Sequence, residues 1–142
     1  MKRWFALLGM LALLTIPPVF AAGLPRTPSP ADARVYIISP KNGAVVHGPV
    51  TVRFGLSGMG VAPAGTVADN TGHHHLIIDS PLPPMDQPLP KDDTHLHFGK
   101  GQTETVLTLK PGKHTLQLVL GDAEHVPHDP PVVSEKITIQ VK

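Results

Sequence analysis

The stretch Thr105-Val-Leu-Thr-Leu109-Lys-Pro-Gly-Lys113-His-Thr-Leu-Gln-Leu-Val-Leu120 decides the fold. Thr105, Leu107 and Leu109 alternate, Lys110-Pro111-Gly112-Lys113 turns the chain, and Leu116, Leu118 and Leu120 alternate with Thr115, Gln117 and Val119. A period of two belongs to strands with one face against a core, because successive strand side chains point to opposite sides. The same period recurs outward from this stretch. Val50, Val52, Phe54 and Leu56 alternate with Thr51, Arg53 and Gly55, and Ile137, Ile139 and Val141 alternate with Thr138 and Gln140. Val35 to Ile38 forms a short apolar run stopped by Pro40 and the Lys41-Asn42-Gly43 turn, and His73 to Asp79 reads as a further strand. Pro81, Pro83, Pro84, Pro88 and Pro90 limit residues 80–94 to an irregular edge segment, since proline cannot donate to a ladder.

Six or seven short strands over about 110 residues without a helical period predict an all-β fold, an immunoglobulin-like antiparallel β-sandwich. A small barrel is the alternative. The strands fall at 34–39, 50–56, 73–79, 103–109, 114–120 and 135–141.

A length of 142 residues suits one domain. Charged residues are 16% of the chain and the formal net charge is +1, which argues against a nucleic-acid surface or an acidic tail. Seventeen Pro and thirteen Gly disfavour a helical bundle. Lys2 and Arg3, the apolar run Trp4 to Ile16 and Val19-Phe20-Ala21 have the layout of a secretory signal peptide at 1–21. The apolar run is shorter than the roughly 20 residues a spanning helix needs. Residues 22–33, with three prolines and no period, read as an extended linker before a domain at 34–142. A periplasmic or secreted protein is therefore expected, without stable membrane insertion after processing. Removing Lys2 and Arg3 from 12 basic residues leaves 10 against 11 acidic ones, a formal charge of −1.

Nine histidines at zero cysteines are the unusual feature, because imidazole is the commonest protein metal ligand and thiolate sites are excluded. Antiparallel strands reverse direction in turn. The start of 73–79, the loop before 103–109 and the loop after 114–120 therefore share one pole of a sandwich. His73, His75, His95, His97, His125 and His128 fall there, whereas His47 and His114 fall at the other pole. His73 with His75, and His95 with His97, have the i, i+2 spacing that places both rings on one face of a strand. These six are the candidate ligands for a copper or zinc ion. The other reading is that the rings cap loops and bond proline-rich backbone. His74 shares the face of Leu76 and Ile78 and reads as a buried, hydrogen-bonded core residue. Asp92, Asp93, Glu104, Asp122, Glu124 and Asp129 lie near the same pole, and Asp122 and Glu104 are the best placed to orient ligand rings. Met59 and Met85 are too far apart in sequence for a methionine-rich cuprous site.

Other chemistries fit less well. Gly55, Gly58 and Gly60 have no following helix to make a phosphate loop, and no serine sits in a nucleophile elbow. Once residues 1–21 are removed, the aromatic residues left are Tyr36, Phe54 and Phe98, too few for a stacking platform on nucleic acid or carbohydrate.

Three stretches carry a family resemblance: Gly72-His-His-His-Leu-Ile-Ile-Asp79, His95-Leu-His-Phe-Gly-Lys-Gly-Gln-Thr-Glu-Thr105, and Pro111-Gly-Lys-His-Thr-Leu-Gln-Leu-Val-Leu-Gly-Asp122 continued by His125-Val-Pro-His-Asp-Pro-Pro131. From about Val35 to Val141 the chain resembles the bacterial exported family called domain of unknown function 4399. That resemblance implies an exported domain and supplies no reaction. Ser39-Pro40-Lys41-Asn42-Gly43 with Gly48-Pro49-Val50-Thr51-Val52 is also similar to bacterial immunoglobulin-like domains. The expected function is binding of a transition metal, copper first, in a carrier, buffering or assembly role. The alternative is a non-metal interaction module for a cell-envelope protein or polymer. An enzyme with Glu104 or Asp122 as base ranks below both.

Overall fold

The structure, a computed structural model, describes residues 23–142; the signal-peptide reading of 1–21 lies outside the described residues. The chain forms β1 (Arg34–Ser39), β2 (Val45–Val46), β3 (Val50–Ser57), β4 (Gly60–Val61), β5 (Thr71–Ile78), β6 (His95–His97), β7 (Glu104–Leu107), β8 (Gly112–Gly121) and β9 (Ile137–Val141), with no helix among the described residues. One sheet has the order β1-β3-β7 and the other β2-β9-β8-β5-β4, with β6 also paired to β5. Val35, Val52, Phe54 and Leu107 from the first sheet meet Leu76, Ile78, Leu116, Leu118, Leu120 and Ile139 from the second in one core. The two sheets share that core between them, as in a β-sandwich. The Lys110–Lys113 turn carries the chain from one sheet to the other, so the two clearest strands of the sequence do not pair with each other.

Register sets the two ends of β5 far apart. His73 lies opposite Gly121 at one end and Ile78 opposite Leu116 at the other. Just past that second end, His114 Nδ1 stands 2.6 Å from Asp79 Oδ2 and its Nε2 stands 2.8 Å from the Lys110 carbonyl. Both partners only accept, so both ring nitrogens donate and the ring is an imidazolium. The Asp79 hydrogen bond raises the His114 pKa, partly opposed by burial. A raised folded-state pKa contributes stability that is fully present below the unfolded value near 6.5 and is lost as pH rises through the folded value. Replacing His114 by Gln should therefore cost about 0.5 kcal/mol in denaturant melts at pH 5.5 and nothing at pH 9. An equal loss at both pH values would show that the ion pair is not what stabilises this end.

Residues 23–30 lie outside the sheets and are pinned along the loop after β8, and residues 31–32 turn the chain into β1 with Ala33 N donating to the Pro30 carbonyl at 3.1 Å. Arg26 donates to the carbonyls of Pro127 and His128 and lies 3.4 Å from Asp129. Thr27 Oγ1 donates to Asp122 Oδ2 at 2.6 Å, and Ser29 N donates to the Asp129 carbonyl at 3.2 Å. No helix among the described residues is long and apolar enough to cross a membrane.

Candidate metal centre

Strand β5 is buried on both faces, which a strand reading with one buried side does not anticipate. His74, Leu76 and Ile78 point into the sandwich core, while His73, His75 and Ile77 point to the outer side of the second sheet. That outer side is roofed. Leu89 and Met85 from the proline-rich segment and Val133 from the loop after β8 pack on Ile77 and Val119. Beside it, His73 and His75 are 1% and 2% exposed, with the His97 and His125 rings packed against them.

Two further rings complete the group. In β6, His97 is the direct cross-strand partner of His75, a distance at which opposed side chains touch. His125 comes down from the loop after β8 in a left-handed conformation, φ 67°. A non-glycine residue held there costs on the order of 1 kcal/mol, so its surroundings must impose it. They do so through hydrogen bonds on both sides: His125 N donates to the Asp122 carbonyl at 3.0 Å, and the His125 carbonyl accepts from Leu89 N at 2.9 Å. Asp122 Oδ1 accepts from Glu124 N and Val126 N at 2.9 and 3.0 Å, which closes the turn that aims His125.

The ring centroids of His73, His75, His97 and His125 lie 4.8 to 6.1 Å apart in every pairing. His73, His97 and His125 each offer one ring nitrogen, all within 4.8 Å of one another. His75 Nε2 is 3.0 Å from His73 Nε2. Two glycines leave the space for these rings. A Cβ at Gly99 would stand 2.3 Å from His97 Cε1, and one at Gly121 would stand 3.0 Å from His75 Nε2.

Burial pushes His75 down to about 2, with repulsion from His73, His97 and His125 adding to it. Burial likewise takes His73 to about 4, with His125 and His97 contributing and Asp122 opposing. His97 is lowered by burial first, then by His125 and Lys91. These three rings are neutral at pH 7, with unprotonated nitrogens free to bind a cation. His97 and His125 are half-buried, so the group is reached from their side.

Of the six candidate ligands, the structure brings together His73, His75, His97 and His125 and leaves two aside. His95 Nδ1 is 2.9 Å from Asp92 Oδ1 and 3.0 Å from Thr94 Oγ1. Those contacts hold the Asp92 carboxyl down to about 2, the His95 hydrogen bond first. His128 is fully buried and its Nε2 donates to the Thr71 carbonyl at 3.1 Å, tying the loop after β8 to the start of β5. His74 is buried as expected, with its ring 5.2 Å from Phe54, but neither of its nitrogens completes a hydrogen bond. The carboxylates expected to orient the rings are engaged elsewhere. Glu104 pairs with Arg53 at 3.1 Å on the first sheet, and Asp122 binds backbone and Thr27 rather than a ring nitrogen. Sequence reasoning missed Gly99, Gly121 and Thr27; the first is legible only as a glycine two residues after a ligand histidine.

No curated protein and no solved structure matches the chain. The family described as Domain of unknown function (DUF4399) matches residues 52–142. The match begins in β3, later than the Val35 start expected from the motifs, and it covers all four converging histidines. On that match, which spans most of the sandwich, the chain belongs to the family called Domain of unknown function (DUF4399).

Proposed function

We propose that this is an exported, periplasmic domain that binds one transition-metal ion, copper first, through His73, His75, His97 and His125, in a carrier, buffering or assembly role. The convergence of four rings from three separate segments carries the reading, because it buries polar groups that the fold alone does not satisfy. His97 Nε2 is buried without a partner, and such a group is costly unless something binds it. With nitrogen donors only, affinity among divalent ions should follow the usual order that peaks at copper.

Metal content of untagged protein, followed by titration against a competing chelator, tests this. One equivalent per chain is the expected result. A chain that binds copper and zinc no tighter than free histidine would leave the interaction-module reading as the better one. A milder perturbation checks the geometry: Gly99→Ala places a methyl group against the His97 ring and should weaken metal binding about tenfold, a displacement cost of roughly 1.4 kcal/mol, with the melting temperature of the metal-free protein little changed. Unaltered affinity in that variant would remove His97 from the ligand set.

A further inference from the structure

Resting on the metal-binding reading above, we infer that residues 23–30 form a strap that belongs to the metal centre, with Thr27 as a positioning residue that sets the His125 ring through Asp122. His125 sits in a tight turn. Asp122 N donates to the Val126 carbonyl at 2.9 Å, His125 N donates to the Asp122 carbonyl at 3.0 Å, and Gly121 bridges Pro127 just outside them. The Asp122 carboxylate closes the turn from within, since its Oδ1 accepts from Glu124 N and Val126 N. Those two donors belong to the turn itself. The donor to Oδ2 does not: it is the Thr27 hydroxyl, 95 residues away in sequence, at 2.6 Å. Asp122 is 6% exposed, and a buried carboxylate oxygen left without a donor costs more than the bond itself contributes. Without the Thr27 hydroxyl, Oδ2 must seek another donor, and turning the carboxylate toward one strains the two bonds that shape the turn around His125.

The same strap fastens the other leg of the turn. Arg26 Nε donates to the Pro127 carbonyl at 3.1 Å, and the guanidinium also donates to the His128 carbonyl. Pro28 and Asp129 form a parallel bridge, in which Asp129 N donates to the Thr27 carbonyl at 2.9 Å and Ser29 N to the Asp129 carbonyl at 3.2 Å. The turn that carries His125 is therefore gripped at Asp122 on one side and at Pro127 to Asp129 on the other. Its ring has little freedom to spare. One of its nitrogens meets those of His73 and His97 within 4.8 Å, and a ligand-to-metal distance tolerates only about 0.2 Å.

Hydrogen bonds, not core packing, hold the strap. No residue of 23–30 joins either apolar cluster, and a cavity of about 370 Å³ is lined by Leu24 and Thr27 of the strap and by Asp122, Glu124 and Val126 of the turn. Segments fixed in this way open locally without global unfolding. Lifting the strap therefore loosens the ion while the sandwich stays folded, which makes metal occupancy depend on a segment outside the sheets.

The zinc affinity of the untagged protein, read by competition with a chelator, tests this with three variants. Thr27→Val removes the hydroxyl and should raise the zinc Kd about tenfold, the usual effect of losing a group that orients a ligand. Thr27→Ser keeps the hydroxyl and should stay within about twofold of the wild type. Arg26→Met, which unfastens the other leg, should weaken zinc binding in the same direction. In the metal-free protein, the proton–nitrogen signals of the His125 ring should move in Thr27→Val and Arg26→Met but not in Thr27→Ser, while those of His114 stay in place. Circular dichroism should show the same fold in all three. An unchanged zinc affinity in Thr27→Val, or a serine variant as weak as the valine one, would overturn the inference. Wild-type protein that takes up no zinc would instead overturn the metal-binding reading on which it rests.

Discussion

The double variant His73→Ala, His75→Ala should lose stoichiometric metal binding, whereas His47→Ala and His114→Ala should retain it within about twofold. The pair supplies two of the four rings and the floor on which His97 and His125 converge. His114 is engaged at the opposite end of β5, with Asp79 and the Lys110 carbonyl. The loss should also appear as stability. Free metal at a hundredfold over Kd stabilises the wild type by about 2.7 kcal/mol, roughly 10 °C in Tm for a domain of this size. The double variant should show no metal-dependent shift in a calorimetric scan. A shift that survives the double replacement, or one that the His47 and His114 variants also lose, would place the metal elsewhere.

Acid should unfold the metal-free protein unusually early. His73 and His74 are pushed to about 4 and His75 to about 2, burial being the first cause for each. Between those values and the unfolded value near 6.5, the unfolded chain binds more protons than the native one, so stability falls as pH falls. Three such groups give a slope on the order of 4 kcal/mol per pH unit at its steepest. A net stability of about 5–10 kcal/mol, the lower part of the usual range, is then lost roughly one to two and a half pH units below 6.5. Saturating metal should move the midpoint lower, because ligand nitrogens bound to an ion do not take protons. His74→Leu gives an internal check. Burial beside Phe54 outweighs the Gln102 backbone contact in lowering the His74 pKa, so the change should stabilise the protein more at pH 5 than at pH 7. A midpoint below pH 3 in the metal-free protein, read by circular dichroism, would contradict the buried, neutral state of these rings.

Much of the sandwich is legible in the chain because alternation reports which residues share a strand face. The expected strands at 34–39, 50–56 and 114–120 correspond to β1, β3 and β8 within two residues at each end. Alternation does not report what covers a face. The outer side of β5 reads as two histidines and an isoleucine; Leu89, Met85 and Val133 cover the isoleucine and the His97 and His125 rings pack on the histidines, which turns it into an interior. That roof comes from segments without any period, where proline and backbone hydrogen bonds set the path. The same limit separates His95 from His97. Their spacing on β6 is equivalent, but Asp92 and Thr94 sit within reach of the first ring and Gly99 beside the second. His125 and His128 differ through backbone geometry, since a left-handed residue clamped by Asp122 and Leu89 sends one ring toward β5 while the other bonds Thr71. Residues 22–33 read as an extended linker because the contacts that tie the segment down are made by Arg26, Thr27 and Ser29 to a loop about a hundred residues away.

In the proposed centre, four particular histidines act as one ligand set. Long-range proton–nitrogen correlation spectra of the histidine rings during a zinc titration test it residue by residue, since zinc is diamagnetic. The ring signals of His73, His75, His97 and His125 should move together and saturate at one equivalent, while those of His47, His95, His114 and His128 stay in place. Signals that move in a different group, or that drift without saturating at one equivalent, would contradict it.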